Sequence, residues 1–285
     1  MLLILGEPDL KFKYLLIILG FVIAIVLIAV LIPVLFSGSG EVWRQLAVNF
    51  RYLTLPLLAF MALLLIFMSV YFILNYRLLS LLEKEDWPAL AYYLEHQIYV
   101  NGRYSNRNVR LLASSYLVIS DFKSVIKLET KTHLAKPSLV SQNALVFGAA
   151  RILDGNHEEA VSFFRHNLEK CTKSDKEWVH WFCGFSHLLA GYYSSAEEDF
   201  LCMTVSSKNV IISGLCSYFL GSSLEKKSLS PDKCRQVYEN GKKSIKSKLK
   251  NAGGWKKEVD KAGNEIHMAI IRKYIDEAGK WIFAL

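Results

Sequence analysis

The chain has 285 residues, a mean hydropathy of +0.24 and a net charge of +8, with 52% hydrophobic and 21% charged residues. This is too apolar for an intrinsically disordered chain and leaves room for one domain of ordinary size beside a membrane segment. The five cysteines (Cys171, Cys183, Cys202, Cys216, Cys234) are odd in number and form no CxxC pair, which argues against a disulfide framework or a zinc ribbon and fits a reducing compartment.

In chain order, residues 1–13 read as a short N-terminal segment. Two stretches without a charged side chain follow, 14–36 and 53–75. Each meets the roughly 20 apolar residues that a helix needs to cross a bilayer, so residues 14–76 are expected to form a transmembrane helical hairpin. The first run is longer than a signal-peptide core of about 7–15 residues, and an uncleaved helix is expected. Lys11 and Lys13 precede the first run, Arg44 and Arg51 fall in the intervening loop, and Arg77 and Lys84 follow the second. The positive-inside rule then places both termini and the remaining domain in the cytoplasm, on a cell or inner membrane. Pro33 and Pro56 fall in the last turn of one run and the first turn of the other, where proline is tolerated. Neither run holds an ionisable residue, which argues against ion or proton transport. Gly20 and Ala24 form one small-xxx-small pair that could meet another span.

From Leu78 onward the periodicity is helical, with Gly/Asn/Ser/Asp turns and no alternating strand pattern. The fold class is therefore all-α. Two segments superimpose at an offset of thirty-six: Gly148 on Gly184, Gly155 on Gly191, Ala160 on Ala196 and Phe164 on Phe200. A fainter copy with Leu112, Ala113, Tyr116 and Asp121 to Val125 lies thirty-five residues earlier. Leu78–Lys84 and Asp86–Ala91 read as an opening half-unit whose first helix continues out of the second span. Asn209–Ser222 reads as a further helix. Ser230-Pro231 starts another, Gly253-Gly254 breaks the chain, and Trp255–Phe283 reads as one long amphipathic capping helix.

The recurring units resemble the tetratricopeptide repeat, most clearly over Asn106–Ser207. Ala113, Gly148 and Gly184 stand at the small position of the first helix, Gly155 and Gly191 at the turn, and Ala160 and Ala196 at the small position of the second helix, where Val125 is a bulkier substitute. The units run one or two residues long and lack the usual closing proline. The resemblance implies a solenoid over 77–230 whose first helices line a partner-binding groove. Carried over, that groove would hold Arg107, Arg110, Gln142, Leu145, Trp178, Trp181 and Phe185, and Arg with Trp is the composition of a binding hot spot. The competing expectation is that the tryptophans pack under the next repeat or the C-terminal helix. In layout the chain is also similar to HemY-type bacterial inner-membrane proteins.

Residues 231–285 form a basic C-terminal region, with thirteen Lys/Arg against seven Asp/Glu from 232 onward. Lys242, Lys243, Lys246, Lys248, Lys250, Lys256 and Lys257 could be a solvated face, could lie on anionic lipid, or could bind nucleic acid. No aromatics are interleaved, so nucleic acid ranks last and is not expected as a partner. His180, Cys183 and His187 share one helix face at a spacing that could ligate a metal, but the repeat register assigns them to packing, so no metal or cofactor is expected. No nucleophile elbow, P-loop, HExxH or GxGxxG occurs. Glu158-Glu159 and Glu197-Glu198-Asp199 recur at one repeat position and read as a solvated face. The expected function is a membrane-anchored scaffold or adaptor for a protein partner, with no catalysis. The alternatives are an accessory subunit joined to a larger membrane complex through the hairpin, and a protein that binds anionic lipid or nucleic acid through the basic region.

Overall fold

The computed structural model describes Gly20, Ala24, Ile25 and residues 41–228, 230–263 and 266–283, without the side chains of 41–55, 57 and 58. Every regular element among them is helical. They fall into two compact units that meet in sequence at Asp86 and Trp87. The expected first span, 14–36, lies outside the described residues apart from Gly20, Ala24 and Ile25, which are helical.

The first unit contains α1, Glu41–Glu83, a single helix of 43 residues. Arg44 and Arg51 therefore lie in a helix and not in an inter-span loop: Glu41–Tyr52 contains neither Gly nor Pro to interrupt it. Pro56 accordingly stands inside the helix and not in its first turn, at the cost of one hydrogen bond to the carbonyl four residues back. Ala59–Glu83 within α1 is long and apolar enough to cross a membrane, with a mean hydropathy of 2.1 and no burial by protein along its most apolar part. Its 25 residues measure about 38 Å, against a hydrocarbon core of about 30 Å. Phe60, Leu63, Ile66, Phe67, Ile73 and Leu74 all stand exposed on it. The helix runs through Leu78 without a linker, and Glu85 then turns the chain at φ 51°.

The second unit holds thirteen α-helices among the described residues: α2 Trp87–Glu95, α3 Asn106–Val118, α4 Phe122–Ala135, α5 Pro137–Gln142, α6 Ala144–Leu153, α7 His157–Asn167, α8 Lys176–Leu189, α9 Tyr193–Ser206, α10 Val210–Phe219, α11 Pro231–Leu249, α12 Ala252–Lys261, α13 Ile266–Ile270 and α14 Arg272–Phe283. Successive helices from α3 to α10 pack on one another. One turn recurs between them. At Gly155 (φ 81°) and Gly191 (φ 82°) the left-handed residue donates to the third carbonyl back, and the next residue donates to the fifth back: Asn156 to Arg151 and Tyr192 to His187, both 2.9 Å. Ser120 (φ 60°) makes the same turn with Asp121 donating to Tyr116, and Glu85 makes it with Asp86 donating to Leu81. This closure satisfies the last carbonyls of each helix, and at Ser120, Gly155 and Gly191 it reverses the chain. The positions step by thirty-five, thirty-five and thirty-six residues.

Small residues set how closely the paired helices approach. A Cβ at Gly148 would overlap the Phe164 ring, and one at Gly184 would meet Asp199 Cβ and Phe200 at 3.0 Å. Phe164 stacks on Phe182 (5.7 Å), Trp181 on Phe185 (5.1 Å) and Phe200 on Phe219 (5.7 Å), so one aromatic core runs from α7 through α8 and α9 to α10. Trp181, Phe164, Phe182 and Phe200 are fully buried, each worth on the order of 2–3 kcal/mol of transfer free energy.

The expected single helix over Trp255–Phe283 is three helices. Gly263, at φ 76°, ends α12, and a further turn at Ile271 separates α13 from α14. Gly253 and Gly254 lie inside the first turn of α12 and break nothing. The break comes at Lys250 (φ 62°), after which Asn251 caps α12 by accepting from the Gly254 amide at 3.0 Å. Gly254 is glycine because a Cβ there would overlap the Leu249 carbonyl. Ser230 precedes α11 as expected, with Pro231 at the first position, though its side chain makes no capping bond.

Candidate functional site

The face expected to be an open groove is covered by the chain itself. Trp181 (0% exposed), Phe185 and Trp178 are buried. His267 of α13 sits 5.1 Å from Trp178, and Tyr274 of α14 sits 5.4 Å from Phe185 and 5.3 Å from Phe219, centroid to centroid. Leu145 is buried on α6, against which α13 packs. Gln142 is half-buried at the end of α5, Arg110 is half-buried, and Arg107 is exposed. The seven residues thus do not form one accessible surface: the apolar four are core. The reason is elementary, since four large apolar side chains on one face are stabilised more by the chain's own terminal helices than by water. Burial pushes the His267 imidazole down to about 4, with Asp175 acting to raise it and Arg110 to lower it.

The basic stretch divides. Lys242 is half-buried with Nζ 4.4 Å from the centre of the Trp281 ring, whereas Lys243, Lys246, Lys248, Lys250, Lys256 and Lys257 are exposed. Cys234, Tyr238, Gly241 and Ile245 form the buried stripe of α11 and leave the lysines outward.

An open cavity of about 770 Å³ lies among α4, α5, α6 and α7, lined by Glu129, His133, Ser138, Arg151, Glu158 and Phe163 among others. At its base Arg151 Nη2 pairs with Glu129 Oε2 at 2.6 Å, both largely buried, and the Arg151 guanidinium lies 4.3 Å from the centre of the Phe163 ring. Burial raises the Glu129 carboxyl, and Arg151 opposes that rise. Nothing in the sequence marks this cavity, because its residues come from four helices.

A polar cluster bridges α8 and α9. Asp199 Oδ2 accepts from His187 Nδ1 at 2.8 Å, and Asp199 Oδ1 lies 3.3 Å from His180 Nε2. Arg165 Nη2 donates to His187 Nε2 at 3.1 Å, and because a guanidinium can only donate, the His187 proton sits on Nδ1. Cys183 Sγ joins them: it and the donor atoms of His187 and Asp199 all lie within 4.8 Å of one another. Burial pushes the Asp199 carboxyl up, but the bonds from His180 and His187 outweigh it and leave it below the usual range. Burial, and then the Asp199 charge, push the Cys183 thiol up to about 11. Of the three residues seen on one helix face in the sequence, Cys183 and His187 come together with Asp199, the member that reading missed, and His180 is linked through the other Asp199 oxygen. It is hidden in an acidic run in which Glu198 is exposed and Glu197 accepts from Ser228.

No solved structure matches the chain. It is 28% identical over 165 residues to an "Uncharacterized protein" of Treponema pallidum (strain Nichols), a match covering 58% of this chain and 52% of that protein. The chain thus spans about half the length of this relative. Residues 124–284 match the family described as "Uncharacterised Treponema protein". More than half of the chain lies within that match, and the protein belongs to this family.

Proposed function

We propose that the protein is a membrane-anchored helical scaffold that holds a protein partner, its second unit built on degenerate tetratricopeptide-like repeats. The observation that carries the reading is the recurrence of one helix–turn–helix closure at Glu85, Ser120, Gly155 and Gly191 in a chain that also holds an apolar helix of spanning length. Stacked helix pairs of this kind present extended surfaces suited to binding other chains. With the inner face covered by α13 and α14, the partner's seat is the polar cavity beside Glu129, Arg151 and Glu158, which suits an extended polar peptide. The charges near the two apolar runs favour a hairpin with both termini and the second unit on the cytoplasmic side. This reading assigns no catalytic step to the chain.

Crosslinking with mass spectrometry on intact membranes tests it. Crosslinks from a soluble protein to Lys170, in the cavity lining, support the scaffold. Crosslinks confined to residues 14–76 would instead make the chain an accessory subunit of a membrane complex. Labelling of an introduced cysteine at Lys243 from outside intact cells would overturn the cytoplasmic placement.

A second reading rests on the six exposed lysines from Lys243 to Lys257. Held near a bilayer by α1, they would add about 1 kcal/mol each on anionic lipid. Removing all six should lower flotation of the detergent-solubilised protein with phosphatidylserine vesicles and leave phosphatidylcholine vesicles unaffected. An equal effect on both excludes charge.

A further inference from the structure

We propose that His180, Cys183, His187 and Asp199 bind one zinc-class transition-metal ion between α8 and α9.

The donors are of the right kind. Two imidazoles, a thiol and a carboxylate are the ligands zinc takes, whereas a single carboxylate beside a thiol suits neither calcium nor magnesium. Their spacing also fits. Donors bound tetrahedrally at about 2.0–2.3 Å from a metal lie roughly 3.3–3.8 Å from one another. Here His180 Nε2 lies 3.3 Å and His187 Nδ1 2.8 Å from the Asp199 oxygens, and Cys183 Sγ is within 4.8 Å of the His187 and Asp199 donors. Cys183, His187 and Asp199 are the three mutually close donors, and His180, held on the other Asp199 oxygen, completes the set by turning its ring inward. His180 and Asp199 are partly exposed, at 30% and 22%, and provide an entry path, while Cys183 and His187 form the buried wall.

The fold does not need this cluster. Thirty-six residues earlier the same positions are Ala144, Phe147, Arg151 and Phe163. That pair of helices holds no thiol or imidazole at these positions: Ala144, Phe147 and Phe163 are apolar, and the Arg151 guanidinium lies on the Phe163 ring and pairs with Glu129 where the other pair sets His187 against Asp199. The earlier copy of the unit packs with a different polar pair and without a thiol or imidazole, so this donor set is particular to the α8–α9 pair. Arg165 is the competing cation: its donation to His187 Nε2 requires that nitrogen to be bare, whereas a metal on Nδ1 moves the proton to Nε2. Arg165 is exposed and can withdraw, so metal and guanidinium exclude each other at this ring.

The test uses the full-length chain in detergent, stripped with a chelator and titrated with Co²⁺. The site predicts one equivalent bound, with the visible bands of tetrahedral cobalt and a thiolate-to-cobalt band in the near ultraviolet, both displaced by Zn²⁺. Cys183→Ser should lose the near-ultraviolet band, Asp199→Asn and His180→Gln should weaken binding at least tenfold, and Arg165→Ala should bind at least as tightly as the wild type. A folded wild type without a saturable cobalt spectrum overturns the proposal. So does an unchanged near-ultraviolet band in Cys183→Ser, which would assign it to another thiol such as the exposed Cys202. Should Cys183→Ser lose its helical circular dichroism, the half-exposed His180→Gln decides: unchanged cobalt binding there overturns the site.

Discussion

The Trp178 and His267 rings lie 5.1 Å apart, an indole of α8 against an imidazole of α13, and the Phe182 ring meets the same imidazole edge-on at 6.2 Å. Through this contact the C-terminal helices seal the face that the repeat register would leave open. It also makes the seal sensitive to acid. A buried imidazole held down to about 4 binds its proton more weakly in the folded chain than in the unfolded one, whose value is near 6.5. Unfolding then takes up a proton below about pH 6.5, and stability falls as pH drops from there towards 4, by about 3 kcal/mol in all. His267→Leu should remove that component. Denaturation of both proteins in detergent at pH 7 and pH 4.5 measures it, and parallel losses would place the acid sensitivity elsewhere.

Gly148 and Gly184 occupy matching positions with different clearances. A methyl at Gly148 runs into the Phe164 ring, which is buried and stacked on Phe182, whereas a methyl at Gly184 meets its neighbours at 3.0 Å. Gly148→Ala should cost about 2–3 kcal/mol and Gly184→Ala about half of that. Gly155→Ala meets open space and should cost only about 1 kcal/mol for its left-handed backbone. Thermal melts of the three variants check the ranking.

The contrast among these glycines shows what was legible in the chain. Gly155 and Gly191 announce their turns because only glycine adopts the left-handed region at little cost, and the apolar period around them gives the helix pairs. Ser120 and Glu85 make the same turn without that signature, so the earlier copies look fainter in sequence than they are in space. The fate of Trp181 and Phe185 was legible only as two competing expectations, an open groove or a covered core. Helical spacing puts them on one face, but whether solvent, a partner or residues some ninety positions later cover that face is decided by long-range packing. Asp199 was hidden for the same reason. Three consecutive acids read as one solvated patch, and only the approach of α9 to α8 decides which of them turns inward.

Arg151 and Glu129 form a largely buried pair at the base of the cavity. Such a pair contributes little net stability, yet removing one member strands the other charge away from water. Arg151→Met should therefore cost about 3 kcal/mol, more than the loss of its contact with Phe163 alone explains. Combining it with Glu129→Leu should recover most of that loss. Denaturant midpoints of the two single variants and the double variant form the cycle, and additive losses would show that the pair is not coupled.

Trp255 is buried between Gly214 of α10 and Gly279 of α14, and a Cβ on Gly279 would lie 2.7 Å from the indole. Bare backbone on both sides is what allows α12 to wedge its indole between the two helices. Gly279→Val has no room unless α14 moves outward, and α14 carries Tyr274 over Phe185 and Phe219. The variant should lose about 1–3 kcal/mol of stability, and it should also loosen the cover over the aromatic core. Tryptophan fluorescence reads both effects. Acrylamide should quench Gly279→Val more strongly than the wild type while circular dichroism stays helical. Unchanged quenching would mean that the cover does not depend on α14.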